Sequence, residues 1–365
     1  MNILILADAN SAHTQKWING LINDENINIY LWSINKFDPS FYPIVKNLKI
    51  KSYGDIQGNK SYFKKILYLK YFFSLVKIKN KFNPDIIHAH YASSYGLIGS
   101  LLCFKNYIIS IWGSDVFDFP KDSFLNKWII KYNFKKAKIL LSTSEIMANE
   151  SLKYTKKNIT VVPFGIDLEV FKKVEVLKEN FTIGTIKTLE VKYGIDTLIK
   201  AFKIFKDKYP NLITECIIVG EGSEINSLIS LCNKNNISND VKFVGRVKYS
   251  EVPEWHNKLD VYLSLSRLDS ESFGVSAIEA GACEVPAIVS NVGGLPYVVK
   301  NNITGIVIEK DNPEEAAEAI EKLYLNRVLR LEMGRNARIR VDKTYNFNDN
   351  LKQMINIYKN SINHL

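Results

Sequence analysis

A chain of 365 residues with 46% hydrophobic and 24% charged residues is too long for one ordinary core and suits two α/β domains of roughly 150–200 residues each. Its four cysteines, Cys103, Cys216, Cys232 and Cys283, lie scattered with no C-x-x-C pair; this argues against a zinc site or a disulfide framework and suits a reducing cytoplasm. The net charge of +10 is lopsided: residues 1–170 hold 22 lysines and no arginine against 13 acidic residues, so the first half is expected to meet an anionic partner.

In chain order, MNILILADAN is too short and uncharged for a signal peptide and reads as a first strand over 2–7, apolar enough to be buried on both faces of a parallel sheet. The loop DANSAHT brings Asn10, Ser11 and His13 to that strand's carboxyl end, where α/β sheets bind ligands, and a helix pattern starts at Thr14. His13 reads equally as an ordinary loop histidine and as a ligand contact. No G-x-G-x-x-G is present, which removes the main support for a dinucleotide site. A second strand spans 27–32. Residues 60–81, KSYFKKILYLKYFFSLVKIKNK, carry seven lysines, six aromatics and no acid. Helical spacing gathers Phe63, Leu67, Tyr71 and Leu75 on one stripe. Such a segment suits an anionic membrane surface, or a core-facing helix with a solvated basic back. FLNKWIIKYNFKKAK, 124–138, repeats the theme. No apolar run approaches the length that spans a bilayer, and no nucleic-acid module accompanies the basic charge. The expected site is therefore cytoplasmic, peripheral at the inner face of the membrane.

After Pro84-Asp85, IIHAHY reads as a strand with His88 and His90 on one face. Two imidazoles without a third ligand at suitable spacing do not make a metal site. His90, nearest the carboxyl end, is a functional candidate or a satisfied structural histidine. A strand at 107–111 opens into Trp112-Gly113-Ser114-Asp115, a further polar loop on the same edge. Strand 138–142 and helix 144–155 complete a first domain, which ends in ITVVPFGID with Pro163, Gly165 and Asp167 as punctuation. The βα pattern restarts at 181–186. Lys187 and Lys192 in KTLEVKYG precede a helix beginning near Ile195, and serve there as phosphate ligands or as plain loop lysines. Strands 212–219 and 241–244 lead to Gly220-Glu221-Gly222 and Gly245-Arg246-Val247. Segments 313–325, 327–341 and 346–362 are helical.

The most informative stretch is 260–290, DVYLSLSRLDSESFGVSAIEAGACEVPAIVS, read as strand, loop, helix and strand. Its helix, from near Phe273 to Cys283, is apolar almost all round and hence buried. Glu279 sits in its middle, where an unpaired carboxylate is strongly penalised. A structural ion pair and a ligand contact both answer that penalty. Ser272-Phe273-Gly274 places amides at the helix start, an anion site in outline. Glu271 lies just before it, so two carboxylates flank a phosphate-ready helix end.

These residues resemble a known family. Glu271 to Glu279, E-S-F-G-V-S-A-I-E, resembles the E-x7-E motif of retaining glycosyltransferases of family 4, the glycosyl transferases group 1 with the GT-B fold. VVPFGID, GEG, FVGRV, EAGACEVPAIVSNVGGLPYVV and TGIVI follow in family order, and NSAHT, PDIIHAHY and IWGSD resemble acceptor-side loops. The resemblance implies an α/β GT-B fold, with two Rossmann-like domains facing a cleft: an acceptor domain over 1–168 and a donor domain over 169–345, with 346–365 a candidate to pack back on the first. It implies Glu279 on the ribose hydroxyls, Glu271 on the donor sugar, the amides of Phe273, Gly274 and Val275 on the diphosphate, and Lys187 and Lys192 on the leaving phosphates. Gly222 and Val247 join the donor site, Val247 beside the base. His90 lies near the reacting sugar, so His90, Glu271 and Lys192 form the catalytic set, with Asn10, His13, Trp112 and Asp115 on the acceptor side. Two positions depart from the pattern. Lys187 stands where an arginine is usual, replacing a bidentate fork with a point charge, and Trp112 stands where histidine is common.

The implied reaction is transfer of a sugar, with retention, from a nucleotide-sugar donor (UDP the first guess for its base) to a glycan or a polyprenyl- or lipid-linked acceptor in cell-surface glycan synthesis. No cofactor and no metal are implied, and no Asp-x-Asp motif is present. A GT-B nucleotide-sugar epimerase and a catalytically silent nucleotide-sugar-binding module are the alternatives.

Overall fold

The computed structural model describes residues 1–53, 71–177 and 180–363. The chain forms two compact units, Met1–Phe164 with Asn348–Leu365, and Gly165–Phe347. In the first, β1 (Asn2–Leu6), β2 (Asn28–Trp32), β3 (Leu48–Lys51), β4 (Ile86–His90), β5 (Tyr107–Ile111), β6 (Ile139–Ser142) and β7 (Ile159–Val161) form a parallel sheet in the order β3-β2-β1-β4-β5-β6-β7. The order reverses beside β1, so the loops after β1 and β4 open at a topological switch point. β4 and β5 are buried at every position, as central parallel strands covered on both faces must be.

In the second unit, β8 (Phe181–Ile186), β9 (Thr214–Val219), β10 (Val241–Gly245), β11 (Val261–Ser264), β12 (Ala287–Ser290) and β13 (Gly305–Ile308) are ordered β10-β9-β8-β11-β12-β13, again all parallel. Its core is built from one side of helix Ile195–Lys208 and from Pro313–Leu325 against the sheet, with Phe202, Phe205, Ile320 and Leu323 fully buried. Inside this unit the amide of Ile166 donates to the Tyr345 carbonyl at 2.6 Å and that of Phe347 to the Ile166 carbonyl at 3.0 Å, which ties the segments entering and leaving it.

The last helix, Phe347–Asn363, belongs to the first unit. The Tyr358 hydroxyl lies 2.7 Å from His88 Nδ1, Asn350 donates to the Pro163 carbonyl at 3.1 Å and Gln353 to that of Val161 at 3.2 Å. Of the basic segment 60–81, residues up to 70 lie outside the described set, Phe63 and Leu67 among them. The described part is helix Phe72–Phe82, which buries Leu75 completely and exposes Phe73. The other basic segment is helix Phe124–Lys136. Ile130 and Phe134 are buried by it, while Phe124, Leu125 and Trp128 are 85%, 54% and 53% exposed. Among the described residues no helix is long and apolar enough to cross a membrane.

Candidate active site

The second unit gathers charge at the carboxyl ends of β8, β9, β10 and β11. The Lys187 ammonium, just past β8, lies 2.7 Å from Glu271 Oε2, with both side chains about nine-tenths buried. Ser266 Oγ donates to the same oxygen at 3.2 Å. Burial opposes the charge on Lys187, but the Glu271 carboxylate outweighs it and holds the ammonium's pKa above its ordinary value. Lys192 lies apart from this pair, about two-fifths exposed and bridged to Glu190 at 3.0 Å. Tyr193 links the two cations: its ring centroid is 4.7 Å from Lys187 Nζ and 4.9 Å from Lys192 Nζ, within the range where a π face attracts an ammonium.

Gly220 and Gly222 work as packing residues. A Cβ on Gly220 would stand 1.9 Å from the Lys187 carbonyl oxygen, and one on Gly222 2.2 Å from that of Leu189. The loop after β9 therefore lies flush on the loop after β8, and Gly222 supports the wall without lining the cavity beside it. That cavity, about 540 Å³, is lined by Lys187, Tyr193, Gly220, Arg246, Val247 and Ser276 among others. Its size suits a nucleotide-sized ligand. Arg246 pairs with Glu221 at 3.2 Å on its rim.

Ser276 brings the first turn of helix Val275–Ala282 to the cavity. Gly274 precedes that helix in the left-handed region, φ 67°, and has no side chain to cap it; the Ala277 amide turns back to the Gly274 carbonyl at 3.0 Å, and among the described residues the amides of Val275 and Ser276 are left for an external acceptor. The helix starts two residues later than the pattern around Phe273 indicates. Phe273 itself turns into the core, edge-on to Tyr345 at 5.7 Å, so any ligand contact it makes comes from its backbone. The loop before the helix is buttressed by Gly293 and Gly294, whose amides donate to Asp269 Oδ1 at 3.1 Å and to the Glu271 carbonyl at 2.8 Å.

Glu279 is 4% exposed. The Tyr249 hydroxyl donates to its Oε1 at 3.1 Å, and His256 Nε2 stands 3.7 Å from its Oε2. Sequence reasoning overlooked both partners. They lie thirty and twenty-three positions upstream, and no spacing rule links them to the helix.

The first unit offers a different edge. His90, ending β4, is 2% exposed and packs on Trp112 (4.8 Å between centroids) and edge-on to His88 (4.6 Å). His13, in the first turn of helix Ala12–Leu21, stacks on Phe164 at 3.6 Å and 5° and meets Trp112 edge-on at 5.9 Å. Burial, with Lys16 nearby, lowers the His13 pKa to about 4. Burial, with His13 nearby, lowers that of His90 to about 3. His88 is pushed well down by burial and by His90. All three rings are thus neutral at pH 7. Among the described residues His90 Nδ1 is buried without a hydrogen-bond partner, a group that a ligand hydroxyl would satisfy.

Asp115 does not face this edge. It is wholly buried and accepts from the amides of Ala92 (2.7 Å), Gly113 (2.7 Å) and Trp112 (3.2 Å), with burial raising its pKa to about 6. Its place among the acceptor contacts is therefore corrected: it clamps the loops after β4 and β5. Asn10 is exposed, but its amide nitrogen is engaged by Asp8 and the Lys36 carbonyl. Among the described residues no group of three metal-ligating side chains occurs.

Residues 167–340 match the family described as glycosyl transferases group 1, and residues 2–144 match glycosyl transferase 4-like. N-acetyl-alpha-D-glucosaminyl L-malate synthase of Bacillus anthracis is 26% identical over 300 residues, 78% of this chain and 77% of that protein. The capsular polysaccharide biosynthesis glycosyltransferase CapM of Staphylococcus aureus is 32% identical over 248 residues, 60% of this chain and 62% of CapM. Among solved structures, HepE of Anabaena, in complex with UDP, has a TM-score of 0.78 at 16% identity, covering 99% of this chain and all of that one. At that identity the likeness concerns the fold, two parallel-sheet α/β domains of the GT-B kind.

Proposed function

Because this chain belongs to the group 1 glycosyl transferases and is an enzyme of hexosyltransferase type, we propose that it moves a hexosyl group, with retention, from a UDP-sugar to a lipid-linked or cell-surface glycan acceptor. The observation that carries this reading is the Lys187–Glu271 pair, whose lysine lines the 540 Å³ cavity together with Ser276 from the first turn of helix Val275–Ala282. A nucleoside diphosphate entering there meets Lys187, Lys192 and the helix amides, which stabilise the charge that develops as it leaves. Glu271, released from Lys187 by the phosphates, turns to the sugar hydroxyls, and Glu279 takes the ribose.

In the reaction, the bond from the anomeric carbon to the phosphate oxygen breaks with its electron pair going to phosphate. The acceptor oxygen bonds to the same face of that carbon, and the acceptor's proton passes to the leaving phosphate. Neutral His90 holds the reacting sugar by a hydrogen bond from a ring nitrogen. The cations, not a metal, neutralise the diphosphate, so transfer is expected to survive EDTA. UDP is favoured because HepE was solved with it, and a capsular or related glycan because CapM is a capsular polysaccharide biosynthesis glycosyltransferase.

We place the enzyme at the inner face of an anionic membrane. Phe124, Leu125 and Trp128 project from a helix that also carries Lys127, Lys131, Lys135 and Lys136, a composition suited to the headgroup boundary. Phe124→Ser with Trp128→Ser is expected to abolish co-sedimentation with phosphatidylglycerol vesicles at low salt while donor binding persists. For the reaction, radiolabelled UDP-sugars with a membrane extract as acceptor source test transfer. Glu279→Gln should abolish it without lowering the melting temperature. Undiminished transfer in Glu279→Gln would sink the site assignment, and isomerisation of donor without acceptor would replace transfer with epimerisation.

A further inference from the structure

Glu279 is a buried acidic side chain in the middle of helix Val275–Ala282; one turn on, the Cys283 thiol is pushed up to about 12 by burial and by this carboxylate. An ionised carboxylate has about four acceptor positions. Among the described residues, the Tyr249 hydroxyl fills one of them, on Oε1. His256, from helix Val252–Lys258, stands 3.7 Å from Oε2, too far for a hydrogen bond, and among the described residues neither of its ring nitrogens has a hydrogen-bond partner. The carboxylate is therefore held on one side, walled on the other and left with open lone pairs on both oxygens.

Tyr249 is placed to do the holding. It begins the one-turn helix Tyr249–Glu251 that follows β10, and its ring leans on the fully buried Phe171 at 5.5 Å. The ring itself is half-exposed, so its burial contributes little to the core. What it does contribute is a donor aimed at a buried charge, an arrangement usually costly to leave half-made.

We infer that Tyr249 is a positioning residue for recognition of a ribose diol. Its hydroxyl fixes the rotamer of Glu279, so that both carboxylate oxygens accept from the two adjacent hydroxyls of a nucleoside diphosphate. His256 bars the carboxylate from swinging away. This rests on the reading that Glu279 meets the ribose, and the experiment separates the two.

Binding of UDP and of 2′,3′-dideoxy-UDP is measured by calorimetry on the full-length chain, and GDP with its dideoxy counterpart is run in parallel. The variants are Tyr249→Phe, which removes only the hydroxyl, Tyr249→Leu, which also removes the ring, and Glu279→Gln. Wild type is expected to prefer the ribose form of the base it binds by about tenfold or more, the worth of a hydrogen bond to a charged group. Tyr249→Phe and Tyr249→Leu should lose most of that preference, with unchanged dideoxy affinity. A variant that keeps the wild-type preference overturns the role of Tyr249 and leaves the ribose reading intact. Equal weakening of both ligands makes Tyr249 merely structural and overturns it too. No preference in wild type, or one that survives in Glu279→Gln, overturns the ribose reading itself, and the inference falls with it.

Discussion

The two sheet edges solve opposite electrostatic problems. In the second unit, charge is concentrated and paired: Lys187 with Glu271, Lys192 with Glu190, Arg246 with Glu221. In the first, the residues at the edge are aromatic rings and imidazoles that burial keeps neutral. An edge that must take a diphosphate needs cations whose partners can be exchanged for phosphate oxygens. One that takes a sugar hydroxyl is better served by uncharged rings, which present an apolar face and a single hydrogen-bonding atom. Four of the first half's lysines, Lys127, Lys131, Lys135 and Lys136, are carried by helix Phe124–Lys136.

This contrast breaks most sharply at Lys187. Lys187→Ala strands Glu271 in a largely buried place, which is expected to destabilise the second unit by about 3–5 kcal/mol and to lower kcat by a factor of about 10²–10³. Calorimetric unfolding and single-turnover transfer check it. Lys187→Arg should recover most of both.

Acidification is the counterpart test for the first unit. The folded His90 titrates near 3, whereas an imidazole in the unfolded chain takes its proton near 6.5. Between those values the unfolded chain binds the extra proton, so stability is complete above about 6.5 and falls as the pH is lowered, and His88 acts in the same direction. Asp115 opposes them. Its folded value near 6 against 3.8 unfolded gives stability back as the pH drops through that window. The net expectation is a loss of a few kcal/mol between pH 6.5 and 4. Four of the five tryptophans, Trp17, Trp32, Trp112 and Trp128, lie in the first unit, so fluorescence-detected melts report on it. Asp115→Asn should make the acid loss steeper.

The smallest effect expected is that of Gly220→Ala. Its Cβ would collide with the Lys187 carbonyl, and φ there is 140°, so about 1–3 kcal/mol of destabilisation follows. It should weaken nucleotide binding by moving Lys187 and leave first-unit melting untouched.

Much of the scaffold was legible in the chain. The segments 107–111 and 181–186 are strands at those bounds, because a run of β-formers between polar loops admits little else. Edge strands β3 and β7 passed unnoticed: LKIK and ITV are too short to stand out, and they are strands only because β2 and β6 offer open hydrogen bonds. Burial of Glu279 could be read from the apolar helix around it, but not the hydroxyl that meets it. The sequence also singled out Asp115 without revealing which way it points, since a loop carboxylate serves equally as a ligand contact and as a clamp for backbone amides.

What the sequence by itself determined is the order and type of the central strands and the longer helices and the identity of the charged residues after β8 and β11, because periodicity and turn chemistry are local. Only the tertiary structure decided the pairings: Lys187 with Glu271 across 84 positions, Tyr249 with Glu279 across 30, His88 with Tyr358 across 270. Parallel βα units bring strand ends together whatever their separation along the chain, so which groups meet there is set by sheet order and not by spacing.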